Sequence, residues 1–289
     1  MVRIQGGLGN QMFQYAMARS LSLQMRTELF LDTWDYEMDT FRKYELERFN
    51  ISARYLSKRR RDWEGQLQRR RYAPLKLLLQ AIQSPLGSKH IVDIERGFDE
   101  RLGKTNGNVY LNGFWQSERY FSGIRELLLR EFTFKAAPNH ENAKCLSNIV
   151  SQNSVCVHIR RGDYITTPHG QNKHGVCPLD YYHKAIAYIQ DRLINPAFYI
   201  FSDDPAWVSL SFPQLNPMTI VSHNVEKNDS EDLRLMMNCK HFIIANSSFS
   251  WWGAWLGQFP NKTVIAPRRW YISPNHSDKD LVPESWIRM

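Results

Sequence analysis

Four short stretches combine residue types that can do chemistry. The first is HIRRGD (158–163), in which His158 and Arg160 alternate with apolar neighbours and so leave one face of a strand as it ends. Two adjacent arginines, Arg160 and Arg161, cannot both be buried unpaired, and a guanidinium fork matches the oxygens of a phosphate. Asp163 offers a different partner, since it can brace the turn by pairing with an arginine. The second stretch is Ser202-Asp203-Asp204 and the third is Asn246-Ser247-Ser248-Phe249-Ser250. A serine pair where a strand gives way to a helix caps that helix and turns backbone N–H groups toward an anion, although capping alone would ask for the same serines. The acid pair invites a metal, but adjacent side chains after a strand diverge and no third ligand is near in sequence. No metal is therefore expected, with arginine neutralising the phosphate instead. The fourth stretch, GGLGNQ (6–11), lacks the third glycine of a dinucleotide fingerprint and the lysine of a phosphate loop. Gly7 and Gly9 still imply a close approach of backbone to a ligand, in a cleft between two halves, with Asn10 and Gln11 as amide donors and acceptors.

These stretches matter only if the elements around them share an edge. SVCVHIR (154–160), AFYIFS (197–202), MTIVS (218–222), HFIIAN (241–246) and TVIAP (263–267) read as strands. Between them Leu179–Leu193, Pro205–Ser211, Ser230–Asn238 and Phe249–Gln258 read as helices, the third with Ser230 as its cap. That alternation predicts a doubly wound parallel α/β sheet, and ligands bind such sheets outside the carboxyl ends of the strands. The three clusters of the second half all fall at that edge. Trp251, Trp252 and Trp255 are at helical spacing and read as core. In the first half VRIQ (2–5), ELFLD (28–32) and NVYLNGFWQ (108–116) read as strands, and Gln11–Met25 and Glu118–Arg130 as helices. KAAPNHEN (135–142) reads as a linker, giving domains 1–140 and 141–289.

The 289 residues are 43% hydrophobic and 23% charged, which excludes a disordered chain. No run of about 18 apolar residues is present to span a membrane, and the N-terminus does not read as a signal peptide. The four scattered cysteines read as reduced thiols. The net charge is +8, and residues 54–71 hold eight Lys/Arg against Asp62 and Glu64, or 8 − 2 = +6 of it. One local run does not suit a nucleic-acid binder, so no nucleic acid is expected. It reads either as a solvated face or as a peripheral contact with anionic membrane. Sequons occur at Asn228, Asn246, Asn261 and Asn275, and a glycan on Asn246 would conflict with a ligand site there.

GGLGNQMFQYA (6–16), HIRRGD (158–163), FSDD (201–204) and NSSFSWWGAWL (246–256), in this order and spacing, resemble the α-1,2-fucosyltransferases of glycosyltransferase family 11 over essentially the whole chain. The resemblance implies a GT-B fold of two Rossmann-like domains facing a cleft, an acceptor-side N-terminal domain and a donor-binding C-terminal one. It implies a hexosyltransferase that inverts the anomeric centre without metal or cofactor. The donor would be GDP-β-L-fucose, and the acceptor the 2-hydroxyl of a galactose in an oligosaccharide or glycolipid. By motif, Arg160 is the β-phosphate ligand, with His158 and Asp163 as its catalytic companions. Arg161, Ser202, Asp203, Asn246, Ser247, Ser248 and Phe249 complete the donor side. A more distant resemblance to protein O-fucosyltransferases, in which an acid stands nine residues before the strand-opening histidine, assigns Asp232 to guanine. Helix first-turn electrostatics would place the same acid there. Asp163 is the motif's candidate base. Orientation of Arg161, a carboxylate of the first half such as Asp32 or Asp35, and a base-free path are the alternatives. Another GDP-sugar transferase is the rival reading. A cytoplasmic protein is expected, with 54–71 at the inner face of a bacterial membrane as the further expectation.

Overall fold

Short β-branched and aromatic runs bounded by Gly, Asn and Ser become strands, and two such sets build two sheets. The computed structural model describes residues 1–39, 42–56, 89–93, 97–212, 214–224, 229–274 and 276–289. Residues 57–71 of the basic run and the sequons at Asn228 and Asn275 lie outside the described residues, and Arg54 pairs with Glu28 at 2.8 Å. The chain divides into two compact units, Met1–Thr133 and Phe134–Met289. Arg234 fastens the start of the second: its guanidinium lies 4.1 Å from the Phe134 ring centroid and donates to the Ala136 carbonyl at 2.8 Å.

The first unit holds β1 (Val2–Arg3), β2 (Phe30–Asp32), β3 (Arg54–Tyr55), β4 (Lys89–Val92) and β5 (Val109–Asn112). They form a sheet in the order β3-β2-β1-β5-β4, every pair parallel. The helix Leu8–Gln24 follows β1 and buries Met12, Tyr15, Ala16 and Leu21 of the stripe expected at i, i+3, i+4 spacing, together with Phe13, whereas Leu23, expected in the same stripe, is exposed. The helix expected over 118–130 is broken. Two 3₁₀ turns, Glu118–Tyr120 and Ser122–Ile124, precede the helix Arg125–Glu131. Phe121 leaves helical geometry at φ −142° with its ring fully buried, so packing overrides the helical pattern there.

The second unit holds β6 (Asn153–Ile159), β7 (Pro196–Ser202), β8 (Met218–Val221), β9 (His241–Ile243), β10 (Val264–Ala266) and β11 (Ile287–Arg288). Their order is β11-β10-β9-β6-β7-β8, again all parallel. One face of the sheet packs Val155, Val157, Ile159 and Ile200 on Tyr181, Tyr182, Ala185, Ile186 and Ile189 of the helix Leu179–Gln190. The three tryptophans of the helix Ser248–Leu256 are core, at most 2% exposed, with ring centroids 5.0–6.1 Å apart. One reading is corrected. Ser230 lies inside the helix Asp229–Met236 rather than capping it, and its buried hydroxyl makes no hydrogen bond. β11 escaped the sequence because two residues carry no period. The four cysteines form no disulfide. Among the described residues no helix is long and apolar enough to cross a membrane.

Candidate functional site

The second sheet reverses its winding beside β6. From β6 the chain moves outward through β7 and β8, then returns to β9 on the other flank and continues to β10 and β11. The crevice at the carboxyl ends of β6 and β9 is thus a topological switch point, where neighbouring loops diverge and leave room for a ligand. His158-Ile159-Arg160 ends one of these strands, and Asn246-Ser247-Ser248 follows the other. Register places Ile159 opposite Ser202, so Asp203 and Asp204 leave the adjacent strand at the same edge.

The arginines are not bare cations. Arg160 donates Nη2 to Asp163 at 2.6 Å and reaches Asp203 with Nη1 at 3.1 Å. Burial alone would lower its guanidinium, but Asp203 and Asp163 outweigh that and the net direction is upward. Asp203 also accepts the Arg161 backbone N–H at 2.8 Å. Arg161 itself donates Nε to Asp204 at 3.1 Å and lies 3.9 Å from the centroid of Trp207. Asp204 caps the helix Pro205–Ser211 by accepting the Trp207 N–H, while the Ser202 hydroxyl accepts the Asp204 N–H. Asp163 therefore holds Arg160, not Arg161, and Asp203 and Asp204 diverge as expected of adjacent residues. Among the described residues no group of three His, Cys, Asp or Glu is placed to hold a metal ion.

On the β9 side, Ser247 caps the helix Ser248–Leu256, its hydroxyl accepting the Phe249 N–H at 3.4 Å. The first turn of a helix presents N–H groups with no intrahelical partner. Asn246 is 2% exposed and turned inward. Its amide nitrogen donates to the carbonyls of His174, Gly175 and Trp270 at 3.0–3.1 Å, and its Oδ1 accepts from Cys177 Sγ at 3.4 Å. It is a knot between loops, and its side chain is closed to a glycan.

Tyr164 joins the two sides, and the sequence reading missed it. Its hydroxyl donates to the Asn246 carbonyl at 3.0 Å, its ring centroid lies 5.6 Å from the Arg160 guanidinium, and His174 stacks on it at 4.6 Å. The available signal was its place, four residues after Arg160 in the helix Gly162–Thr166. The helix Pro168–Lys173 sits so close that a Cβ on Gly170 would overlap the Asp163 carbonyl oxygen and come within 2.7 Å of Tyr164 Cα. Gly170→Ala should therefore cost about 1–3 kcal/mol through overpacking and cut activity by shifting the Asp163–Tyr164 turn. An unchanged melting temperature and turnover would show that the turn yields freely.

His158 is 5% exposed, faces the Phe249 ring at 6.0 Å, and leaves its buried Nδ1 without a hydrogen bond. Burial, then the charge of Arg160, push its pKa down to about 3. The folded value lies below the unfolded one, so the unfolded chain binds the proton first. Stability is present above about pH 6.5 and falls as pH drops toward 3. Between pH 7.5 and 5 this group should remove about 2 kcal/mol. Urea unfolding at the two pH values should show that loss shrinking by the same amount in His158→Gln. An equal loss in both proteins would mean that His158 titrates normally.

Asp232 belongs to a separate group. Its Oδ1 accepts from Asn224, which exchanges amide hydrogen bonds with the fully buried Asn142 at 2.8 and 2.9 Å, and His223 Nε2 reaches the same Asn142 at 2.9 Å. In the first unit Gly7 precedes the helix Leu8–Gln24 as its cap residue and Gly9 is buried inside it. Gly6 takes a left-handed φ of +79° to make the turn. Asn10 accepts from Gln116 at 2.8 Å, and the buried Gln11 is committed to the carbonyls of Gly6 and Lys43 and the Glu45 N–H.

The family model described as "Glycosyl transferase family 11" matches residues 89–289. An alpha-1,2-colitosyltransferase of Escherichia coli is 36% identical over 99% of this chain and 97% of its own length. The O-antigen biosynthesis glycosyltransferase WbnK of the same organism is 35% identical over 99% of both. A galactoside 2-alpha-L-fucosyltransferase, Sec1 of Mus musculus, is 28% identical over 51% of this chain and 42% of its own. Among solved structures, Arabidopsis thaliana FUT1 in complex with GDP superposes with a TM-score of 0.54 at 11% identity, over 99% of this chain and 75% of that one. At that identity the likeness shows the fold alone, GT-B, in agreement with the two parallel sheets. Family model, full-length relatives and fold converge: the chain is a glycosyltransferase and belongs to glycosyltransferase family 11.

Proposed function

We propose that the protein is an inverting α-1,2-fucosyltransferase that moves L-fucose from GDP-β-L-fucose to the 2-hydroxyl of a galactose in a glycan. One observation carries this reading: a guanidinium and a capped helix N-terminus flank the switch point between β6 and β9. Both stabilise anions, and a departing nucleoside diphosphate is the anion that sugar transfer generates. In this reading the acceptor oxygen bonds to C1 of the fucose from the face opposite GDP. The bond from C1 to the β-phosphate oxygen breaks, its electron pair leaves with GDP, and the hydroxyl proton passes to a base.

Arg160 meets the growing phosphate charge, assisted by the N–H group at Ser248, since that of Ser247 is held by the Ala245 carbonyl at 2.8 Å, so no metal is called on. His158, neutral through the working range, offers hydrogen bonding beside the nucleotide, and Phe249 offers a ring face. Asp232 takes guanine N–H groups. Asp203, Arg161, Ser202 and Asn246, committed to protein partners, hold the frame. Gly7, Gly9, Asn10 and Gln11 belong to the acceptor side. A cytoplasmic protein touching a membrane through 54–71 completes the reading.

The full-length relation to a colitosyltransferase favours a second reading, in which the donor sugar is colitose. A single assay separates them: GDP release from GDP-fucose, GDP-colitose and GDP-mannose with a galactoside acceptor. Fastest turnover of GDP-fucose supports the first reading and fastest turnover of GDP-colitose the second. Release from neither sinks both.

A further inference from the structure

Two guanidinium groups, Arg160 and Arg161, share this edge with three carboxylates, Asp163, Asp203 and Asp204. A diphosphate arriving there meets one more anion than cation. Either the site repels it or a carboxylate yields its place.

The three carboxylates are not equally free to yield. Asp203 is gripped from two sides, by Arg160 Nη1 at 3.1 Å and by the Arg161 backbone N–H at 2.8 Å. Gly162 packs against it so closely that a Cβ there would stand 2.5 Å from its Oδ2. Asp204 caps a helix and pairs with an arginine stacked on Trp207. Asp163 lies in the five-residue helix Gly162–Thr166, and its side chain is 36% exposed, as open as the helix-capping Asp204 at 35% and more open than Asp203 at 25%. It holds the Nη2 end of the Arg160 fork. That end is what a phosphate oxygen would take in a charge-assisted hydrogen bond, with Nη1 still on Asp203.

We propose that Asp163 occupies on Arg160 the place of the donor's phosphate, so that diphosphate binding displaces the Asp163 carboxylate and frees it to receive the acceptor's proton. This rests on the diphosphate reading above and goes beyond it. The base is masked by Arg160 until the leaving group is in place, which makes addition ordered, donor first. A carboxylate paired to a guanidinium is a poor proton acceptor; the same carboxylate beside a phosphate-bound arginine regains its basicity. In the transfer step the acceptor O–H proton goes to Asp163, the new bond joins acceptor oxygen to C1, and the electron pair of the old C1–O bond departs on the diphosphate.

Calorimetry with GDP and a crystal structure of the GDP complex test this. Asp163→Asn removes the competitor and should bind GDP about tenfold more tightly than the wild type, with Asp163→Ala behaving alike. In wild-type crystals grown with GDP, Arg160 Nη2 should contact a phosphate oxygen and the Asp163 carboxylate should stand beyond about 3.5 Å from it. The exchange is overturned if GDP binds the wild type and the Asn and Ala variants bind it no more tightly. It is equally overturned, whatever the variants do, if Asp163 stays bonded to Arg160 in the complex. No GDP binding by the wild type, or unchanged binding by Arg160→Ala, overturns the diphosphate reading itself and the exchange with it.

Discussion

Arg160→Ala should lower sugar transfer by about 10²–10³-fold, the usual loss when one preorganised donor to a developing oxyanion is removed. The side chain is 22% exposed and stands between two carboxylates. Its loss removes the cation that Asp163 and Asp203 share. A fully buried broken pair costs about 3–5 kcal/mol. Screening at this partial exposure reduces that to about 1–2 kcal/mol, so the variant should melt lower yet remain folded. Arg160→Lys keeps the charge and loses the fork, so it should restore stability better than activity. GDP release by the purified proteins, with their melting curves, checks both statements. Turnover of the alanine variant within threefold of wild type would remove Arg160 from the chemistry.

The largest effect on stability is expected at Asn246. Two amide hydrogens are shared among three backbone carbonyls from two loops, in a place 2% exposed. Asn246→Ala strips that partner from all three, in a bond that is buried at Trp270 and part-buried at His174 and Gly175. Each buried unsatisfied group costs about 1–3 kcal/mol, so a total of about 3–4 kcal/mol is expected. For a chain of 289 residues that lowers the melting temperature by about 5–7 °C. Asn246→Asp should be worse, since a carboxylate would face the same three carbonyls. Calorimetric melting within 2 °C of wild type would show that the loops hold without the knot.

Much of the candidate site was legible along the chain. An apolar run ending in polar residues before a helix can only place those residues at a carboxyl edge once the sheet is parallel. That geometry brought 158–163, 202–204 and 246–250 to one rim. Partner choice was not legible. Asp163 beside Arg161 in sequence serves Arg160 in space, because the turn after β6 carries the two guanidinium groups to different neighbours. Arg161 turns to Asp204 and Trp207, forty-odd residues away in the chain. Asn246 looked like a ligand residue by its position, yet its amide faces inward. A strand end can direct a side chain to solvent or to the loop above it with the same local sequence. Tyr164 carried no signal of its own beyond following the motif.

The amino-acid sequence by itself determined the class of fold, the shared edge and the family. Each depends on periodicity or on motifs read over a few residues, and the backbone obeys those locally. Only the tertiary structure decided which charge meets which, that His158 is neutral and buried, and that three carboxylates crowd two arginines. Those are properties of distance and dielectric between strands that meet only on folding. Charge pairing falls off over a few ångströms, so a list of residues holds the charges but not the pairs.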